Sequence, residues 1–131
     1  MRVVVVGATG NVGTSLVGVL AADPAIDSVV GLARRRPTFD VPKTDWVAAD
    51  ITDADLTELF RGAGVVVHLA WLIQPSRDRN LLWRVNVEGS SRVFAATARA
   101  GVASVVYASS VGAYSPGPKD RRVSETWPTN G

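Results

Sequence analysis

The sequence predicts a doubly wound α/β domain: a parallel sheet of five strands, in the order 3-2-1-4-5, with helices on both faces. Three observations carry that prediction. Short β-branched runs alternate along the chain with segments of helical period, which builds parallel sheets through right-handed crossovers. The first run, Val3–Val6, is wholly apolar, as a strand buried on both faces must be. A glycine-rich turn then joins that strand directly to the first helical segment.

Each element follows in order. Val3–Val6 is stopped by Gly7. From about Gly10 to Ala22, the residues Val12, Leu16, Val19 and Leu20 fall at helical spacing, and the helix ends near Asp23-Pro24. Ser28–Arg34 forms a second strand and Asp45–Ala49 a third. Ala54–Arg61 is a short helix with Asp53 as its cap and Leu56, Leu59 and Phe60 as its inner face. Val65–Leu69 is the fourth strand. From about Asp78 to Ala100, the series Leu82, Val85, Gly89, Val93, Ala96 and Ala100 steps by three and four, which describes one long amphipathic helix. Val102–Ser109 is the fifth strand. Gly112, Pro116, Gly117 and Pro118 then mark loop, and Trp127–Gly131 also reads as loop.

Composition narrows the chemistry. The 131 residues make one domain, with 47% hydrophobic and 20% charged residues, which is globular rather than disordered. There is no cysteine, so disulfides, thiolate nucleophiles and cysteine-bound zinc are excluded. The single histidine leaves little basis for a metal site, and none is expected. A net charge of +2 is too small to imply a nucleic-acid partner. No apolar run approaches the roughly 18–20 residues of a membrane helix, and the opening residues do not form a signal peptide, so a soluble, cytoplasmic protein is expected.

The segment Gly7-Ala8-Thr9-Gly10-Asn11-Val12-Gly13 carries the sharpest chemical signal. At a strand–turn–helix junction, the first glycine permits a tight turn and the second lets backbone approach a pyrophosphate. The third lets the helix pack closely on the strand. The helix N-terminus then offers free N–H groups and a positive dipole end to phosphate.

The spacing G-x-x-G-x-x-G resembles that of the extended short-chain dehydrogenase/reductases, the NAD-dependent epimerase/dehydratase family. Four further segments share the resemblance in the same order. Asp50-Ile51 stands where the family sets an acid and an apolar residue against adenine. Val67-His68-Leu69-Ala70 is similar to its H-x-A segment beside the cofactor. Val85-Asn86-Val87-Glu88-Gly89 is similar to its N-V-x-G helix motif, and Val106–Tyr114 to the segment bearing its active-site Ser or Thr. The resemblance implies a Rossmann-type cofactor domain. It implies cofactor contacts at Gly7, Thr9, Gly10, Asn11, Val12, Gly13, Asp50, Ile51, Leu69, Ala70 and Asn86. Taken alone, Asn86 reads as a polar tie near the fourth strand.

Cofactor choice turns on the end of the second strand. An acidic residue holding a ribose 2′-hydroxyl is expected about 20 residues after the glycine loop. Ala33 stands there, followed by Arg34-Arg35-Arg36. A guanidinium suits a 2′-phosphate through charge-assisted bonds, so NADP is the expected cofactor, with NAD admitted, Arg34 the first ligand candidate and Arg35 the second. The alternative is a solvated basic loop.

The resemblance makes Ser110 the catalytic hydroxyl, bonding the substrate carbonyl or alcohol, with Ser109 the neighbouring alternative. Val111-Gly112 stand where the family's dehydratases carry an acidic pair, which disfavours dehydration. His68 reads as a packed residue beside the cofactor rather than a base. Trp71 and Gln74 can line a substrate pocket or equally belong to an ordinary loop, whereas Arg77, Arg79 and Arg84 read as a solvated helix start, with contact to an anionic substrate the lesser alternative.

The family's Tyr-x-x-x-Lys pair, in which lysine lowers the tyrosine pKa, does not occur in this sequence: Tyr107 is followed by Val111 and Tyr114 by Pro118. The sequence is therefore expected to represent the N-terminal part of a longer enzyme. That enzyme would be an epimerase or reductase acting on a nucleotide-sugar or small alcohol or ketone. The competing expectation is a non-catalytic NADP(H) sensor or scaffold of the same fold. Residues 1–131 are read as a single cofactor-binding domain, with a homodimer left open. The fifth strand is expected at an open, association-prone sheet edge.

Overall fold

A computed structural model describes residues 1–73 and 77–130. Its five strands are β1 (Arg2–Val6), β2 (Ser28–Ala33), β3 (Thr44–Ala48), β4 (Val65–His68) and β5 (Ser104–Tyr107). They form one parallel sheet in the order β3-β2-β1-β4-β5, the order the sequence predicts. Between them lie α1 (Asn11–Ala22) and α2 (Leu56–Phe60). A continuous helical run then comprises α3 (Arg79–Trp83), a π-helical turn (Arg84–Gly89) and α4 (Ser90–Arg99).

The core has two layers because β1 is covered on both faces. Val4, Val6, Val30, Leu32 and Val66 pack with Leu56, Phe60, Val93 and Ala96 on the α2/α4 side. Val3, Val5, Val29 and Val67 pack with Val17, Ile26 and Trp46 on the α1 side. Full burial of one such valine contributes about 1.5–3 kcal/mol, so the uninterrupted run Val3–Val6 anchors both layers.

Four local expectations need correction. The buried stripe of α1 is Gly13, Val17 and Ala21, while Val12 and Val19 are 66% and 67% exposed. Gly13 must face the strand: a Cβ there would strike the Gly7 carbonyl oxygen and lie 2.8 Å from Ala8 Cα. That contact turns Val12 outward. Helix α2 is shorter than expected, and its cap is Asp55, which accepts from the Glu58 N–H, rather than Asp53. The long helix is widened by the π turn, where backbone bonds reach i+5 rather than i+4. Strand β5 spans only Ser104–Tyr107, and its four residues are all exposed. It lies at the sheet edge, as expected, with Val105, Val106 and Tyr107 about half accessible.

Among the described residues, no helix is long and apolar enough to cross a membrane.

Candidate functional site

The carboxyl ends of β1, β2 and β4 converge on a cleft of about 340 Å³. Open α/β sheets bind ligands there because the chain reverses its winding beside the central strand. The glycine turn forms the floor. Gly7 has φ +85°, a conformation that side chains rarely adopt, and a Cβ there would lie 2.8 Å from the Ala70 nitrogen. Glycine is thus required twice over, by backbone conformation and by the approach of the β4 exit. The turn is closed by Gly7 N–H donating to Leu32 O at 2.9 Å and Gly10 N–H donating to Gly7 O at 3.1 Å.

Helix α1 begins at the cleft with Gly10 as its cap residue and no side-chain cap bond. The N–H groups of its first turn are free to meet an anion, with the helix dipole favouring negative charge.

The β2 side of the cleft is formed by Leu32, Ala33 and the exposed Arg34. The β3 exit contributes Ala49, Asp50 and the buried Ile51. Asp50 Oδ1 accepts from the Thr52 N–H at 2.9 Å and the Thr52 hydroxyl at 2.7 Å. These two bonds, followed by the charges of Arg34 and Arg84, hold its carboxyl below the usual range, against the opposing effect of burial. Asp50 therefore stays ionised at neutral pH.

The far wall comes from Leu69, Ala70, Trp71 and Leu72 after β4, with Val85 from the π turn. Asn86 fixes this wall. Its side-chain amide donates to Leu72 O at 3.0 Å, and its Oδ1 accepts from the Leu72 N–H at 2.8 Å. The same side chain thus satisfies both backbone polar groups of Leu72 and leaves its own amide occupied.

The structure brings Gly7, Thr9, Gly10, Arg34, Asp50, Ile51, Leu69 and Ala70 together around this one cleft. Gly13 lies beneath it, buried between helix and strand, and Asn86 adjoins it through Leu72. Asn11, Val12 and Arg35 are exposed and outside its lining. Sequence reasoning did not single out Leu72 or Val85 as wall residues. Only the neighbouring N-V pair of the helix motif pointed toward them. Trp71 lines this same cleft, while Gln74 lies outside the described residues. Arg77, Arg79 and Arg84 are exposed.

Ser110 follows β5 and is not among the cleft-lining residues. Its Oγ accepts from the Gly112 N–H at 3.1 Å, capping a short 3₁₀ turn over Val111–Ala113. Because Oγ acts there as an acceptor, its own proton remains available to a second oxygen.

His68 is fully buried on the α4 side of the sheet. Its Nε2 is 3.0 Å from Ser90 Oγ, and Nδ1 has no partner. The ring lies 5.3 Å from the Tyr107 ring and 5.8 Å from Phe94, between centroids. Burial pushes its pKa down to about 4, so it is neutral at physiological pH and packs rather than titrates.

Residues 3–130 match the model of the NAD dependent epimerase/dehydratase family. The chain belongs to this family. It is 37% identical to the UDP-glucose 4-epimerase of Mycolicibacterium smegmatis, over 99% of this chain and 45% of that enzyme. It is also 35% identical to the L-arabinose 1-dehydrogenase (NAD(P)(+)) of Haloferax volcanii, over 82% of this chain and 40% of that protein. Among solved structures, it is similar to a short-chain dehydrogenase/reductase superfamily protein from Agrobacterium tumefaciens with bound NAD. The TM-score is 0.85 at 29% identity, covering 98% of this chain and 39% of that one. The chain spans between 12% and 45% of the length of the curated relatives it matches.

Proposed function

We propose that this chain is the NADP(H)-binding part of an epimerase- or reductase-type oxidoreductase. Its whole protein would move hydride between nicotinamide and a hydroxyl- or carbonyl-bearing carbon of a nucleotide-sugar or small alcohol or ketone. The observation that carries this reading is the glycine cradle: at Gly7 and Gly13 a Cβ has no room, beside a cleft of about 340 Å³. That volume lies within the roughly 300–1,000 Å³ usual for small-molecule sites. The glycine cradle and the helix start without a side-chain cap thus suit the pyrophosphate of a dinucleotide.

In this reading, Gly7, Thr9, Gly10, Asn11, Val12 and Gly13 form the pyrophosphate turn, and the uncapped start of α1 faces its charge. Asp50 and Ile51 bound the adenine side, Leu69 and Ala70 the opposite side, and Asn86 supports that side through Leu72. Arg34, with Arg35 behind it, holds the 2′-phosphate that distinguishes NADP from NAD. The bound dinucleotide supplies the hydride donor or acceptor. Ser110 donates its hydroxyl proton in a hydrogen bond to the substrate oxygen, and a Tyr/Lys pair beyond these 131 residues moves the proton. The names of two relatives, the UDP-glucose 4-epimerase and the L-arabinose 1-dehydrogenase, support a sugar or nucleotide-sugar substrate.

The test is calorimetric titration of the chain with NADP(H) and NAD(H), repeated with Arg34→Ala. Charge-assisted bonds to a phosphate are worth about 1.5–3 kcal/mol, so NADP(H) should bind about tenfold or more tighter, and the variant should lose that margin. Equal affinities in the wild type would contradict the NADP preference. Binding of neither cofactor by the whole protein would contradict the whole reading.

A further inference from the structure

We propose that Arg92 is a positioning residue for the adenine side of the cleft, fixing from outside the loop that presents Asp50 and Ile51. The inference rests on the dinucleotide reading above and extends it to a residue on α4 that does not line the cleft.

The loop from Asp50 to Asp55 leaves β3 and enters α2. Its internal bonds are local: the Asp50 side chain holds Thr52, and Ala54 N–H donates to Asp50 O at 3.0 Å. Such bonds shape the turn; Ile51 and Leu56 seat it in the core, and its backbone is tied to α4 by Arg92. Its Nε donates to Ile51 O at 2.9 Å, and its Nη2 donates to Ala54 O at 2.8 Å. One rigid, permanently charged fork thus spans both ends of the loop.

Two further observations show why this tie matters. One helical turn earlier, Gly89 leaves a notch that receives Ile51: a Cβ there would lie 2.7 Å from Ile51 Cδ1. Ile51 is consequently held by the π turn on its apolar side and by Arg92 of α4 at its carbonyl. Behind the loop, a groove of about 260 Å³ opens between α2 and α4, lined by Asp53, Thr57, Arg92 and Arg99. Side-chain packing does not fill that space, so the loop has room to shift once the guanidinium is removed. A shift moves Asp50 and Ile51 together, because they are adjacent in one turn. The floor at Gly7–Gly13 is bonded to β2 instead, and is unaffected.

The test compares wild type, Arg92→Ala and Arg92→Lys by NMR titration with NADP, adenosine monophosphate and inorganic pyrophosphate, together with melting temperatures. Arg92→Ala should weaken NADP and adenosine monophosphate about tenfold, leaving pyrophosphate binding at the glycine turn unchanged. Arg92→Lys, able to reach one carbonyl but not span both, should fall between. Unchanged adenosine monophosphate binding in Arg92→Ala would overturn the inference while leaving the cofactor reading intact. Equal weakening of all three ligands would overturn it too, assigning Arg92 to general stability. Failure of the wild type to bind either adenine nucleotide would overturn the cofactor reading, and this inference with it.

Discussion

Strands β1 and β5 have similar composition and opposite surroundings. Arg2–Val6 carries four valines and Ser104–Tyr107 two valines and a tyrosine, all residues that favour a pleated strand. The β1 valines are essentially inaccessible, because strands flank them on both sides and helices cover both faces. In β5, Val105 and Val106 are 45% and 53% exposed, because neither core layer extends over that strand, which lies last in the sheet. A β-branched run thus reports that a strand exists, and its place in the sheet decides whether it is core. The functional consequence follows the same division. The cleft opens at the end of the strand with neighbours on both sides, where the Gly7 and Ala8 N–H groups are held by Leu32 O.

The largest expected departure from this contrast sits between the two regions, at His68, which joins the buried end of β4 to Tyr107 of β5. Its pKa is lowered from 6.5 to about 4 by burial, so the folded state holds it neutral. Between those values the unfolded chain binds the extra proton and the folded chain does not. Stability due to this group is therefore complete above pH 6.5 and is lost as pH falls toward 4. Urea denaturation should show a loss on the order of 2–3 kcal/mol between pH 7.5 and pH 4.5, flattened in His68→Phe. An unchanged midpoint over that range would show that the ring is reached by solvent.

The next effect lies in the braced region. Gly13→Ala forces a Cβ against Gly7 and Ala8 and should destabilise the fold by about 2 kcal/mol, read from thermal or urea unfolding. Gly18→Ala, on the same helix with nothing near its Cβ position, should be neutral or stabilising by up to about 1 kcal/mol. Equal effects at both positions would remove the argument that close helix–strand packing sets the cleft floor.

The smallest stability effect is expected at β5. Val106→Lys, on an exposed strand, should change stability by no more than about 0.5 kcal/mol. It should nevertheless reduce self-association of the 131-residue chain in sedimentation runs, because a charge blunts an apolar edge. A wild-type chain that stays monomeric at high concentration, with rapidly exchanging β5 amides, would contradict the view that this edge seeks a partner.

These contrasts also explain what the sequence made legible. Strand existence and order, and the glycine turn, depend on local patterns and short crossovers, and they could be read directly. The inward face of α1 could not, because apolar residues at Val12 and Val19 mimic a core stripe and the real constraint is the missing side chain of Gly13. Asp53 and Asp55 are equally good cap residues by type, and only the backbone path selects Asp55. The π turn had one trace in the sequence. Val85, Gly89 and Val93 step twice by four, running ahead of the 3.6-residue period that an α-helix keeps. The Arg92 fork and the Asn86 grip on Leu72 are long-range contacts that no spacing announces. For Ser110 the family resemblance, and for Arg34 residue type and position, supplied the proposed role; the structure adds an Oγ that accepts from the Gly112 N–H for one and a place at the cleft rim for the other.

The most direct measurement is a residue-resolved NMR titration of the isotope-labelled chain with NADP(H). The account predicts that perturbations concentrate at Gly7–Gly13, Arg34, Asp50-Ile51 and Leu69-Ala70, while Ser104–Val106 and the α2/α4 groove around Arg99 stay unmoved. Perturbations centred on β5 or on that groove, with the glycine turn silent, would contradict it.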